Sequence, residues 1–549
     1  MKIQFYFTLL SLFSIDLITA YKVLVFNPAF GASHSNFLGK ISDILIDDGH
    51  DVTMLIPISM QGKKHLVGSK KVKKIVRIEQ DPRSIELYKQ TGAEDFMRKK
   101  IWKIDSDILS FFQMAADFSK NCGYQCEHVF QQTEILNNLR EEKFDLGITE
   151  SLFICGYPIF DHIGIKTVIN ADSVLFMDIV KIALGEPASS TFYPGVKFID
   201  QFHLITLFFA ALISPKTDKM TMLERITNTI QMLLPAYFSK MRFEEELRII
   251  TPYYNGTKSW KEHLESVAFN MVNSNRYLDY ASPTLPKTVF IGGMQVKTKK
   301  QGQVKLKDEW DSLLKIRNHN VLVSFGSNAF SSDMPDEFKR AFLEVFESMP
   351  DTTFIWKYEE ANATLVDHLP NVKLTTWMPQ NDLLADPRLT LFVTHGGLGS
   401  SIELAYQGKP SVVIPLMADQ PRNAHMLSRH GGAYQLDKKD LDKPEIIRKA
   451  IQHVLENKSL QKNAEKLAKI LEEQPYSPSD VVLRHCDFAV KFGALETLNS
   501  EGRHMNLFQF YSYDIFAVLF ILMIVIYFIT VCLLRLCWRK FKSQKQKRE

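Results

Sequence analysis

The chain has 549 residues, more than one hydrophobic core ordinarily serves, so two or more domains are expected. Hydrophobic residues make up 46% of it and the formal net charge is +4. That charge is local: residues 535–549 hold seven basic residues and one acidic one, the rest is mildly acidic, and nucleic acid is excluded as an expected partner.

Residues 1–20, with Lys2, an apolar run and Ala20 at the end, read as a secretory signal peptide. An apolar strand follows at 21–27, then a Gly/Ser loop, FGASHSNF, and a helix carrying Leu38, Ile41, Ile44 and Leu45. Further strands are expected at 51–57 (DVTMLIP), 144–150 (FDLGITE) and 166–171 (KTVINA). The run 204–213 is strongly apolar yet too short to span a bilayer, so it reads as a buried or interfacial helix. Pro, Gly and the polar run KTKKQGQ mark a boundary within 279–304, and the alternation then restarts. Strands are expected at 321–327, 352–358, 372–377, 389–395 and 410–416, with helices over 443–472 and 478–496.

Strands alternating with helices imply parallel sheets with crossovers. The expected architecture is α/β: two doubly wound, Rossmann-like domains at 21–285 and 286–475, facing a cleft. Residues 476–512 form a helix packing back and the approach to a transmembrane helix at 513–534. Within that span, Ile515 to Leu534 is uncharged; at about 1.5 Å per residue it crosses the roughly 30 Å hydrocarbon core. The basic tail 535–549 is then cytoplasmic and the body lies outside the cytosol. Lys545 and Lys547, fifth and third from the end, resemble a dilysine retrieval signal of the endoplasmic reticulum. Disulfides are permitted there, but the pairing among Cys122, Cys126, Cys155 and Cys486 stays open. No zinc-like spacing appears, and no metal is expected. Asn255, Asn362 and Asn457 begin glycosylation sequons.

The stretch LFVTHGGLGSSIE carries the chemistry. A strand runs into His395, Gly396 and Gly397 permit a tight turn, and helix propensity resumes at Leu398. Free N–H groups and the positive end of that helix favour an anion such as a pyrophosphate. Upstream stands WMPQ from Trp377, and downstream PLMADQ from Pro415. In order these are W-x-P-Q, T-H-G-G, an acid eight residues beyond the histidine, and D-Q. Together they resemble the signature of the UDP-glycosyltransferases, and in particular the animal UDP-glucuronosyltransferases. The resemblance extends over nearly the whole chain, through DKMTMLERITN (218–228), VFIGGMQV (289–296), VSFGS and the anchor with its basic tail.

The resemblance implies a GT-B-type fold, an acceptor-binding first domain and a UDP-sugar-binding second domain. Trp377 would stack on uracil, and Gln380 would bond the base edge or ribose. Glu403 would accept from ribose hydroxyls, Asp419 and Gln420 would hold the donor sugar, and Ser324 and Ser327 would face phosphate. Gly399 stands where mammalian relatives often carry Asn, which leaves the cradle of His395, Gly396 and Gly397 to backbone donors, with Ser400 or Ser401 to compensate. His34 matches the family's S-H motif and is the expected general base; Glu150 stands where the family has Asp, one methylene longer, as the expected orienter.

The expected reaction is inverting transfer of glucuronic acid or glucose from a UDP-sugar to a hydroxyl of a small lipophilic acceptor. No cofactor is expected, the UDP-sugar being a co-substrate; the bilayer is a partner and self-association stays open. Mammalian glucuronate users place an Arg in the segment that here reads FNMVNSNRYLDY; Val272 stands there, with Arg276 four residues on, so the sugar stays open. An oxidoreductase is excluded, because no first-strand GxGxxG occurs near Tyr21. The alternative is a membrane-anchored UDP-sugar or aglycone binding protein without turnover.

Overall fold

A computed structural model of the chain describes residues 20–91, 101–103, 108–175, 177–187, 190, 193–194, 218–296 and 306–547. The apolar run 204–213, the linker run KTKKQGQ and all of the signal segment except Ala20 lie outside these residues.

The first half is a seven-stranded sheet in the order β3-β2-β1-β4-β5-β6-β7. Its strands are β1 (Lys22–Phe26), β2 (Asp51–Pro57), β3 (Lys74–Ile78), β4 (Leu146–Thr149), β5 (Val168–Asp172), β6 (Phe269–Val272) and β7 (Thr288–Phe290). The second is a six-stranded sheet in the order β10-β9-β8-β11-β12-β13. It comprises β8 (His319–Ser324), β9 (Thr352–Lys357), β10 (Val372–Thr375), β11 (Leu391–Thr394), β12 (Ser411–Val413) and β13 (Ala433–Gln435). Every pairing is parallel.

The central strands are apolar runs because helices cover both faces. In β1, Val23 and Val25 join one core and Leu24 and Phe26 the core on the opposite face. Each sheet reverses its strand order at its centre, between β1 and β4 and between β8 and β11. Parallel-sheet proteins bind ligands in the crevice that such a reversal opens beyond the strand ends. Strands β3, β6, β7 and β13 had no clear signal. Three are sheet edges with exposed or half-exposed residues, and all four are five residues or shorter, so none shows a long apolar run.

The helices that matter below are α1 (Ala32–Asp47), α2 (Ile108–Gln131), α3 (Met222–Ile250), α4 (Leu398–Gln407), α5 (Gln420–Arg429), α6 (Pro478–Phe492) and α7 (Tyr513–Gln546). The expected helix over 443–472 is two helices, Pro444–Glu456 and Lys458–Glu472. Asn457 takes extended backbone between them, and its side chain accepts from Ser459 N at 3.1 Å as a cap. α6 stops short of the expected 496 because Gly493 adopts φ +69°. α6 packs back on the first half, burying Val482, Cys486 and Ala489 in the core of β1 and α1. Tyr21 there donates to Asp487 at 3.0 Å.

One trio among the described residues, Asp48, His50 and Asp487, brings its ligand atoms within 4.8 Å of one another. Tyr21 N–H donates to His50 Nδ1 at 3.5 Å, so the ring proton sits on Nε2, facing Asp48 at 3.3 Å and Asp487 at 3.6 Å. The ring fastens α6 and is not part of a free ligand set.

The halves are tied by α5. Arg422 donates to Asp279 at 2.6 Å and to Pro194 O at 2.9 Å, between the rings of Tyr193 and Tyr280. Tyr406 of α4 donates to Gly292 O at 3.1 Å, and His430 to Leu278 O at 2.8 Å. α7 is long and apolar enough to cross a membrane. Asn255 and Asn362 are exposed, and Asn457 is half-buried.

The structure pairs Cys126 with Cys155 and leaves Cys122 and Cys486 as buried thiols. The bridge ties α2 to the loop after β4, closing 29 residues of chain. Replacing either partner by Ser lowers stability by about 3 kcal/mol, as the entropy of a loop that long requires. Thermal unfolding of the detergent-solubilised protein checks this: Cys126→Ser and Cys155→Ser melt earlier by similar amounts, and the exposed Cys532→Ser does not.

Candidate active site

Parallel register delivers the site residues. Val25 of β1 lies opposite Ile148 of β4, so the chain leaving each strand emerges at the same edge. β1 leads through a short loop to α1, whose first turn carries His34; β4 leads directly to Glu150. There His34 Nδ1 stands 2.9 and 2.8 Å from the two Glu150 oxygens. The Glu150 side chain is 2% exposed and that of His34 14%, so the acid is sealed inside and the ring reaches the surface of the cleft. The acid holds the Nδ1 side of the ring, which directs Nε2 outward.

Ser173, just beyond β5, is a third member that the sequence did not flag. Its hydroxyl donates to Glu150 Oε1 at 2.6 Å and lies 2.7 Å from His34 Nδ1. Beside it Asp172 is fully buried, and burial, reinforced by the Glu150 charge, pushes its carboxyl up to about 7 against the opposing hydrogen bonds of Ser151. Around His34 stands an aromatic wall. Phe30 lies 4.4 Å from the imidazole, Phe153 lies 4.7 Å from Phe30, and Phe118 of α2 lies 5.9 Å from Phe153.

In the second half, Thr394 of β11 lies opposite Ser324 of β8, so the turns after these strands meet. His395 packs between two glycines. A Cβ on Gly326 would come 2.6 Å from its Cε1, and one on Gly397 2.6 Å from its Nε2. Gly326 also sits at φ +86° and Gly396 at φ +79°, which any side chain would strain. His395 Nδ1 is buried without a partner. Burial, with the Lys357 cation adding, pushes the ring down to about 4, so His395 is neutral near pH 7. α4 begins directly after it, and no side chain caps Gly397 at its start. The first-turn N–H groups are therefore open toward an anion. Gly399 is exposed, and a side chain there would meet nothing within 4 Å, so its absence leaves room over the cradle.

The remaining residues ring this turn. Trp377, after β10, is 67% exposed and presents a free face. Gln380 donates to Glu403 at 2.5 Å and to Ser400 at 3.1 Å. Asn381, also missed from the sequence, donates to the other Glu403 oxygen at 2.9 Å. Burial pushes Glu403 up to about 7, against the pull of these two amides. Ser324 is buried and accepts from Gly326 N at 3.3 Å; Ser327 is half-buried in the same turn. Asp419 accepts from Asn423 at 2.8 Å, and burial raises its carboxyl. Gln420 is buried with its carbonyl accepting from Leu416 N at 2.8 Å and Met417 N at 3.0 Å, which leaves its NH2 for a ligand. Ala418 before them takes φ +56°, a left-handed bend.

Val272, where the sequence left room for a sugar-binding cation, is fully buried in an apolar cluster with Tyr157 and Leu264. Arg276 is exposed and packs its guanidinium 4.8 Å from the Phe290 ring.

The profile of the family described as "UDP-glucoronosyl and UDP-glucosyl transferase" matches residues 21–548. UDP-glucuronosyltransferase 3A1 of Xenopus laevis is 28% identical, covering 94% of each chain. UDP-glucuronosyltransferase 2B17 of Mus musculus is 26% identical, covering 96% of each. Among solved structures, the glycotransferase of kitacinnamycin superposes with TM-score 0.56 at 17% identity, covering 85% of this chain and 99% of that one. Phytolacca americana UGT2, complexed with UDP-2fluoro-glucose and pterostilbene, superposes with TM-score 0.54 at 15% identity, covering 85% and 99%. These two share the two-sheet GT-B fold. With a family profile that runs from the first strand to the basic tail, the chain belongs to the UDP-glucuronosyl and UDP-glucosyl transferases and is a UDP-glycosyltransferase.

Proposed function

We propose that the chain transfers a hexose from a UDP-sugar to a hydroxyl of a small lipophilic acceptor with inversion, His34 being the general base. The observation that carries this reading is the His34–Glu150 contact at 2.8 Å, with the acid buried behind the ring. Nε2 takes the acceptor proton, the oxygen attacks the anomeric carbon in line, and UDP leaves from the opposite face. The Phe30–Phe118–Phe153 wall suits a flat apolar acceptor. Glu403 receives the ribose, Trp377 the uracil, and Asp419 with Gln420 the sugar hydroxyls. Charge growing on the β-phosphate is met by the α4 N–H groups and by His395, with no resident metal or cofactor. As a neutral ring, His395 contributes a hydrogen bond; a bound diphosphate draws it toward the charged form. A binding protein without turnover is disfavoured, because it has no need of an acid sealed behind a histidine.

The donor sugar we favour is glucose. A sugar carboxylate calls for an unengaged guanidinium. Val272 is core, Arg276 lies on Phe290, and Arg422 is held by Asp279. The disulfide, α7 and the basic tail support a single-pass protein of the endoplasmic reticulum with a luminal body and cytosolic tail.

Three outcomes test this. His34→Ala lowers transfer by at least about 10²-fold while UDP binding, read by calorimetry, is unchanged; full transfer in that variant ends the base assignment. A membrane fraction given radiolabelled UDP-glucose and UDP-glucuronate separately labels a phenolic acceptor faster from UDP-glucose. Because the carboxyl of Glu403 lies near 7 when free, ribose hydroxyls meet more of the ionised form as pH rises. UDP-glucose, which does not itself titrate in this range, therefore binds more tightly at pH 8 than at pH 6, and Glu403→Gln removes the dependence.

A further inference from the structure

The ends of β4 and β5 carry two acid–serine pairs, Glu150–Ser151 and Asp172–Ser173. The strands run parallel with Thr149 opposite Asn170, which brings the two pairs side by side. Each acid accepts from both the backbone N–H and the hydroxyl of the other pair's serine. Glu150 Oε1 accepts from Ser173 N at 3.1 Å and Ser173 Oγ at 2.6 Å. Asp172 Oδ1 accepts from Ser151 N at 3.0 Å and Ser151 Oγ at 2.5 Å. All four residues are buried, the most open being Ser173 at 7%. Behind them Asn170 donates to Asp172 Oδ2 at 3.0 Å and accepts from Tyr157 at 2.9 Å.

We propose that this reciprocal acid–serine clamp positions the base of the transfer reaction, with Ser173 fixing the His34 tautomer and Asp172–Ser151 fixing the backbone that carries Glu150. The Ser173 hydroxyl has one proton, and it goes to Glu150 Oε1. Its lone pair then faces His34 Nδ1 at 2.7 Å, and only an Nδ1–H satisfies it. Ser173 and Glu150 thus make the same demand, and Nε2 is left as the free lone pair. A glutamate has one more rotor than an aspartate, and two donors on a single oxygen remove that freedom. The Asp172–Ser151 half does for the main chain what Ser173 does for the side chain. Asp172 is also the acid beside which Glu150 sits, and burial pushes its carboxyl up against the opposing hydrogen bonds of Ser151 and Asn170.

This inference rests on His34 being the base, and the test separates the two. Ser173→Ala, Ser173→Thr and His34→Ala are compared in the full-length membrane protein, with kcat, KM for the UDP-sugar and the pH profile of kcat/KM measured for each. Ser173→Ala lowers kcat roughly tenfold or more, the weight of one hydrogen bond to a charged group, moves the acid limb of the profile and leaves KM unchanged. Ser173→Thr, which keeps the hydroxyl, restores most of the rate. An unchanged kcat and profile in Ser173→Ala, with His34→Ala inactive, overturns the clamp. So does a loss of UDP-sugar binding along with kcat in Ser173→Ala, because the serine would then only hold the fold. Full activity in His34→Ala instead overturns the base reading.

Discussion

The site depends on one constraint, the reversal of strand order at the centre of each parallel sheet. A parallel strand must be followed by a crossover, and where successive crossovers diverge no segment covers the strand ends. In the first sheet that opening lies between β1 and β4, and in the second between β8 and β11. His34 and Glu150 are the groups that leave the first pair, and the Ser324–Ser327 turn and His395 leave the second. Neither crevice carries both sets of groups: the first holds the His34–Glu150 pair and the second the His395 turn with the uncapped start of α4.

Contact between the halves therefore brings the two sets together. An apolar cluster joins Leu278 and Tyr280 to Ile402 and Leu427, and buried polar groups, notably Arg422 with Asp279 and Tyr406 with Gly292, cross the same contact. A buried guanidinium between two aromatic rings, donating to a carboxylate and a carbonyl, is costly to separate, because separation leaves an unpaired charge in an apolar place. The same enclosure acts on the cleft. It neutralises His395 and raises Glu403, Asp419 and Asp172. In that enclosure burial works against the charged form of each of these groups.

Room is arranged with equal economy. Gly326 and Gly397 are the two faces against which His395 lies, and neither could carry a Cβ without displacing the ring. Gly399 is the opposite case, since a side chain would fit there and none is present. The cradle consequently relies on main-chain N–H groups and on Ser400, which Gln380 already holds.

Sequence alone determined the architecture and most of the chemistry-bearing residues. Long apolar strands, glycine turns and ordered motifs are local patterns, and local patterns are legible. It reached β1, β2, β4, β5 and β8 through β12, but missed the edge strands β3, β7 and β13, whose residues are partly exposed, and the buried four-residue β6. The motif also made His34, Glu150 and the T-H-G-G turn candidates without showing that they are near anything. Tertiary structure decided the rest. Ser173 and Asn381 joined the site only because strand register and a helix start placed them beside Glu150 and Glu403. The Cys126–Cys155 pairing, the burial of Val272 and the tie of Arg422 to Asp279 follow from distances between residues far apart in the chain. Such proximities are set by the packing of many elements at once, and no local stretch of sequence encodes them.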